Sequence, residues 1–409
     1  MISSKKDKII NDPIYGFITI DKGIITKLIE HPYFQRLRRV SQLGLSYLVY
    51  PGAIHSRFHH AIGCMHLITK AIYQLRKKGH TISNEEAESL KIAILLHDIG
   101  HGPFSHALEH SIVTDISHEK LSYLFIEKLN KQFNGKLTLA SKIFTNTHPK
   151  KFLHQLIDSQ LDMDRLDYLK RDSFFSGVTE GNIGTERIIN MLNVVNDELV
   201  VEEKGIYSIE KFLIARRLMY WQVYLHKTVV SAENMLINIL KRAKLLIQNG
   251  TDIFTLPSLK IFLEKDISQS DFQKKSNFLD DFAELDDYDI YTCIKHWIKS
   301  EDFVLSFLSK RLINRKLLKI KVTKEPIPEE EKDKLTNNFI KKYKCSKEEA
   351  AFCIFSYKIS NSTYNINKAK INILMKNGDV IDITSASDQF NIEALNKTVE
   401  KHFLCYTND

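Results

Sequence analysis

Leu95-Leu96-His97-Asp98-Ile99-Gly100-His101-Gly102-Pro103-Phe104-Ser105-His106 is the stretch on which the reading of this chain turns. An apolar run, Ile92-Ala93-Ile94-Leu95-Leu96, drives into three histidines and an aspartate that fall within ten residues. The run reads as the end of a buried helix. A His beside an Asp is costly to bury there unless something binds both. A metal ion does so, because it replaces the hydration that the carboxylate loses. The alternative is a buried, hydrogen-bonded His–Asp pair. Gly100, Gly102 and Pro103 then break the helix, and His106 opens a new one.

Further donors must come from elsewhere. Upstream, His55-Ser56-Arg57-Phe58-His59-His60 follows the turn signal Pro51-Gly52. Downstream lies Gln160-Leu161-Asp162-Met163-Asp164-Arg165-Leu166-Asp167-Tyr168-Leu169-Lys170-Arg171-Asp172. Met163, Leu166 and Leu169 recur at helical spacing, which predicts one partly buried helix. Asp164, Tyr168 and Asp172 lie one turn apart along it. Acids and a Tyr on one stripe are more than a solvated face needs.

The 409 residues can bury a sizeable core and carry one large domain with an appendage. The net charge of +8 and pI near 8.9 suit polyanionic ligands without establishing nucleic-acid binding. Cys64, Cys293, Cys345, Cys353 and Cys405 are scattered with no C-x-x-C, and read as reduced thiols. Met1-Ile2-Ser3-Ser4-Lys5-Lys6 leads into no apolar segment, and no stretch reaches membrane-spanning length. The expectation is a cytoplasmic enzyme.

Helical spacing dominates, as in Ile25, Leu28 and Ile29, in Ile68, Ile72 and Leu75, and in Met235, Leu236, Ile239 and Leu240. The fold class expected is mainly α: a helical domain over residues 1–250, then a helical extension and a small α+β lobe over 251–409. The acidic stretch Asp266 to Asp289 reads as a surface segment between helices. In the tail, Lys370 to Met375 and Val380 to Ile383 flank Asn377-Gly378-Asp379, a β-hairpin signal. Ala394 to His402 reads as a helix.

His60, the His97-Asp98 pair and Asp164 resemble the H…HD…D signature of the HD-domain phosphohydrolases. Phe34-Gln35-Arg36-Leu37-Arg38, Gln42-Leu43-Gly44, Arg57-Phe58-His59-His60, His97 to His106 and Asp164-Arg165-Leu166-Asp167-Tyr168 narrow this further. They resemble the deoxynucleoside triphosphate triphosphohydrolases, nearest the branch of the animal enzymes that also carry a sterile-alpha-motif domain, here without that domain. The match runs from about Asn11 to about Lys319.

The resemblance implies that His60, His97, Asp98 and Asp164 hold one divalent transition metal (Fe, Mn, Co or Zn) per subunit, with Mg accompanying the triphosphate. Four protein ligands leave open positions on an octahedral ion for a water and a phosphate oxygen. His101 would face phosphate oxygens, and His118 matches a further histidine near the phosphates. His106 is the candidate acid or base. Glu109 follows on the same helical face, where its carboxylate can hold and charge the imidazole. His55, His59, His66 and His110 read as structural. Arg57, Arg165 and Arg216 would contact phosphates. Gln42 and Asp172 would read the 3′-hydroxyl, and Leu43 and Tyr168 would leave no room for a ribose 2′-hydroxyl.

A second constellation points to regulation. Lys8, Asn11, Gln35, Arg38, Lys227, Arg315 and Lys319 resemble positions that bind activating nucleotides between subunits, and Glu30 replaces the guanine-reading Asp of the family. From Lys310 to Lys324 there are seven basic residues and no acid. The implied partners are a dNTP substrate, a dGTP, GTP or dNTP activator, and further copies of the chain in a tetramer or dimer. Two alternatives stay open. One is another HD phosphohydrolase, acting on nucleotides or nucleic-acid ends. The H-D-x-x-E-D alarmone pattern and the G-Y-P pattern of cyclic-dinucleotide enzymes are absent. The other is a non-catalytic nucleotide sensor or single-strand nucleic-acid binder using the basic stretch.

Overall fold

The computed structural model describes residues 7–105, 108, 111–113, 116–274, 276–361, 364, 370–388 and 398–407. Helix α1 (Arg57–Lys77) carries Phe58, Ala61, Ile62, Leu67, Ile68, Ala71 and Leu75 on buried faces. It packs against α2 (Asn84–Leu96), whose entry is fixed by a capping box. Glu86 N donates to Ser83 Oγ at 3.0 Å, and Ser83 N to Glu86 Oε2 at 2.8 Å. From Leu90 to Leu96 only Lys91 escapes full burial, so α2 delivers His97 and Asp98 into the interior. Helix α3 (His118–Gln132) receives the loop that follows. A Cβ on Gly100 would stand 2.3 Å from His118 O and Ser122 N, so only glycine allows that approach.

Helix α4 (Met163–Ser176) starts at Asp162, which accepts from Arg165 N at 2.7 Å. It stops at Gly177, in the left-handed conformation at φ 75°. It too packs on α1. Helix α5 (Ile206–Met219) runs into a π-helical turn, Tyr220–Tyr224, before α6 (Lys227–Gln248). The expected helices around Ile25, Ile68 and Met235 are present.

Three small sheets accompany the helices. Strands β1 (Lys8–Asp12) and β2 (Gly16–Ile20) form a hairpin with Lys8 opposite Ile20 and Asp12 opposite Gly16. Strands β3 (Leu192–Val195) and β4 (Glu198–Glu202) form another. Strand β5 (Lys319–Thr323) joins β6 (Phe355–Asn361) and β9 (Val399–Tyr406) in the order β5-β9-β6. The expected tail hairpin exists as β7 (Asn372–Leu374) and β8 (Val380–Asp382), but it does not stay in the tail. Strand β7 pairs parallel with β4, Val200 opposite Asn372.

Two expectations are corrected. The acidic stretch from Asp266 is helical, with helices Gln269–Lys274 and Ser276–Glu284 and then α7 (Asp287–Trp297). Phe272, Leu279, Phe282 and Leu285 are buried, so an apolar stripe lies hidden inside an acidic composition. The end of the expected helix Ala394 to His402 is strand β9, because Phe403, Leu404 and Cys405 are buried and both sides pair with neighbouring strands. Residues 394–397 lie outside the described residues. Among the described residues no helix is long and apolar enough to cross a membrane.

Candidate metal centre

Helices α1, α2 and α4 bring His60, His97, Asp98 and Asp164 together. His60 Nε2 lies 3.0 Å from Asp164 Oδ1 and 3.7 Å from Asp98 Oδ2. His97 Nε2 lies 3.3 Å from Asp98 Oδ1 and 3.6 Å from Asp164 Oδ1. Both rings are aimed by their other nitrogen. His97 Nδ1 donates to Ile94 O at 2.6 Å, and His60 Nδ1 to Asp167 Oδ2 at 2.8 Å. Each Nε2 therefore presents a lone pair to the shared space, and that of His97 is buried without a hydrogen-bond partner. Two aimed imidazoles, two carboxylates and an orphaned buried nitrogen fit a divalent cation.

His60, Cys64, His97 and Asp164 also offer four donor atoms within 4.8 Å of one another. Cys64 Sγ, however, sits 3.5 and 3.6 Å from the two nitrogens of His60, against the ring, and burial pushes its thiol well above the usual range. Asp98 is the better donor. Burial opposes its charge, but His97, His101 and Arg57 hold it well below the usual carboxylate range. Asp164 is likewise held low against burial by the neighbouring imidazoles of His60 and His97.

A buried relay backs the centre. Asp167 takes Arg171 on both oxygens, at 2.8 and 3.0 Å, and Arg171 Nη1 reaches Asp12 Oδ2 of β1 at 2.8 Å. Burial works against the Asp167 charge, yet Arg171 brings its pKa down to about 2. Gly63 makes room, since a Cβ there would fall 2.1 Å from Asp167 Oδ1. Asp167, Arg171, Asp12 and Gly63 carried no role in the sequence reading. The only local signal was the ordinary i,i+4 pair Asp167–Arg171. Arg36 is a second omission. It is fully buried and donates to Ile99 O (2.8 Å) and Leu285 O (3.2 Å), tying the His97-Asp98 loop to the helix before α7.

Arg57 and Arg165 flank the cluster, and Arg216 is tied in through Gln160. Arg57 Nη1 binds Asp98 Oδ2 at 2.6 Å, Arg165 is held by Asp162, and Arg216 Nη1 donates to Gln160 Oε1 at 2.8 Å. The Nε of each is buried without a partner. His101 Nε2 is 3.3 Å from Asp98 Oδ1, its Nδ1 shares a hydrogen bond with Ser105 Oγ (2.5 Å), and its ring stacks on His118 at 3.9 Å. Burial, and then the Arg57 charge, keep His101 neutral. His106 and Glu109 lie outside the described residues.

Asp172 is buried and takes His55 Nε2 at 2.8 Å and Tyr224 OH at 2.7 Å, so His55 is built into this region. Tyr168 stands edge-on to Tyr224 at 6.1 Å, and Gln42 Oε1 is buried without a partner. Leu43 is half-buried nearby in the chain.

The positions expected to bind an activator do not all meet in this one chain. Lys8 pairs with Glu30 at 2.8 Å. Gln35 Nε2 donates to Ile29 O at 2.6 Å, and Arg38 Nε to Gln35 Oε1 at 2.9 Å, with the Arg38 guanidinium over Phe58. Asn11 and Lys227 are exposed. Arg315 Nε donates to Leu48 O at 2.8 Å, and exposed Lys319 opens β5.

Residues 57–172 match the HD domain family model, and residues 183–257 match the HD associated region. A phosphohydrolase (BT4208) from Bacteroides thetaiotaomicron has a similar crystal structure, with TM-score 0.96 and 50% identity. The match covers 98% of this chain and 100% of that one. The uncharacterized protein YwfO of Bacillus subtilis is 35% identical over 76% of this chain and 71% of its own length. The human deoxynucleoside triphosphate triphosphohydrolase SAMHD1 is 29% identical over 54% of this chain, which spans only 42% of that protein. The chain belongs to the HD-domain phosphohydrolase superfamily.

Proposed function

We propose that this protein hydrolyses deoxynucleoside triphosphates to deoxynucleoside and inorganic triphosphate, using one Fe, Mn, Co or Zn ion per subunit. The observation that carries this reading is the set of three arginines, Arg57, Arg165 and Arg216. Each is fixed by an acid or amide, and each leaves a buried Nε unpartnered. Two guanidiniums at the cluster and a third tied in through Gln160, each with an unpartnered Nε, suit one phosphate chain.

His60, His97, Asp98 and Asp164 would hold the cation, which when bound supplies Lewis acidity and acidifies its water. Arg57, Arg165 and Arg216 orient and neutralise the phosphates. His101, kept neutral, can donate to a phosphate oxygen from the stack it makes with His118. His106, charged by Glu109, would protonate the departing 5′-oxygen. His106→Ala is expected to cut kcat by about 10²–10⁴-fold with dNTP affinity retained, and Glu109→Ala to cost less. Asp172 and Gln42 read the 3′-hydroxyl, while Leu43 and Tyr168 exclude a 2′-hydroxyl.

The deciding experiment incubates the metal-loaded protein with each dNTP and each NTP and separates the products by ion-exchange chromatography. Triphosphate released from dNTPs far faster than from NTPs is the expected result. Equal rates on ATP and dATP, or release of monophosphate, would replace this reading with a broader HD phosphohydrolase. We further infer a homo-oligomer, a tetramer or dimer, in which dGTP, GTP or a dNTP bridges Lys8, Asn11, Glu30, Gln35 and Arg38 of one subunit to Lys227, Arg315 and Lys319 of others.

A further inference from the structure

A cleft of about 670 Å³ opens at Arg165, whose Nη1 is 3.8 Å from Asp164, and most of its lining is used by none of the roles above. It is lined by Asp158, Gln160 and Arg165, by residues 198–201 of β4 and 370–372 leading into β7, and by His154. Helix α4 orders the groups that lead to it. Asp172, Tyr168 and Asp164 follow one another at four-residue steps toward the helix N-terminus, each about 6 Å along the axis. Arg165, next to Asp164, has its Nη1 3.8 Å from Asp164 Oδ2, and Gln160, before the helix start, holds Arg216. The cleft begins at these two residues. A nucleotide lying with its sugar at Asp172 and its first phosphate at Asp164 therefore points the far end of its phosphate chain into the cleft.

We propose that this cleft receives magnesium–tripolyphosphate, the departing end of the substrate. This rests on the triphosphohydrolase reading and extends it to an exit site. Lys370 adds an exposed ammonium outside Arg165. His154 Nδ1 is engaged with Ile143 O at 3.0 Å, which leaves Nε2 for the cleft. Asp158 and Glu198 would repel a bare polyanion. They suit one that carries Mg²⁺, because that ion keeps several waters and those waters donate to carboxylates. Asp158 also lies 3.9 Å from Arg165 Nη1 and competes with phosphate for it, so the ligand is held and then released.

The test titrates the metal-loaded protein, by calorimetry, with magnesium pyrophosphate and with magnesium tripolyphosphate. Pyrophosphate is too short to leave Arg165, so tripolyphosphate is expected to bind about fivefold or more tightly. Lys370→Glu, a change at an exposed side chain, is expected to remove most of that advantage and to leave pyrophosphate binding as in wild type. Equal affinity for the two anions in wild type overturns the proposal, as does a Lys370→Glu variant that keeps the advantage. The chain-length effect without dNTP hydrolysis would sink the substrate assignment and leave the cleft standing. Hydrolysis without the chain-length effect would do the reverse.

Discussion

His60 meets Asp167 at 2.8 Å in the centre of the molecule, where neither side chain is more than 1% exposed. Lys8 meets Glu30 at the same 2.8 Å on the rim, where the two are 47% and 56% exposed. The distances agree and the consequences do not. Asp167 cannot turn to water, so removing a partner strands a buried charge. Lys8 and Glu30 each exchange the other for water at little cost, which leaves them free to take up a different partner. One chain of contacts joins the two regions. Asn11 is exposed on the hairpin, its neighbour Asp12 is buried on Arg171, and Arg171 holds the Asp167 that orients His60. A contact can thus be rigid at one end of this chain and negotiable at the other.

Breaking the centre outright should have the largest effect. His97→Ala or Asp98→Ala is expected to abolish both bound metal, measured by plasma emission, and hydrolysis; an active metal-free variant would take the cluster out of the reaction. Asp167→Asn comes next, with about 3–5 kcal/mol lost in denaturant unfolding and metal affinity weakened about 10–100-fold. Wild-type values there would put the centre on the same footing as the rim.

Asp287 falls between the two regimes, buried but held by the amide of Ser41 at 2.9 Å. Burial pushes its pKa up to about 6. The fold therefore prefers the acid form. That preference is fully present below the unfolded pKa of about 3.9 and is lost as pH rises through 6, so wild type should lose up to about 3 kcal/mol relative to Asp287→Asn between pH 4 and 7. A pH-independent difference would mean that Asp287 ionises as a surface acid does. Lys8→Ala should cost less than about 1 kcal/mol. Arg315→Glu should leave metal content untouched while weakening any stabilisation by added dGTP or GTP, read by light scattering and kinetics across protein concentration. A monomer whose activity ignores every nucleotide would reduce the rim to a solvated face.

The meeting of His60, His97, Asp98 and Asp164 was legible because these groups announce themselves locally. An apolar helix running into His97-Asp98, and Asp164, Tyr168 and Asp172 at four-residue steps, can each be read without knowing the fold. The support was less legible. Asp12 and Arg36 act across long sequence separations, through Arg171 and through the carbonyls of Ile99 and Leu285. Nothing near them marks that role. Composition misled in two places. Acidic residues around Phe272, Leu279 and Phe282 masked an amphipathic helical stripe, and β9 is a strand because strands on both sides pair with it.

The parallel pairing of β4 with β7 also sets an order of events. Val200 meets Asn372 only after the intervening chain has been made and has returned to the HD half. Closing so long a loop is entropically slow, and such contacts form late. A nascent chain that has not yet reached Ile371 can already hold the elements that carry His60, His97, Asp98 and Asp164. It still lacks the outer wall of the cleft, so the centre can be assembled before its exit exists.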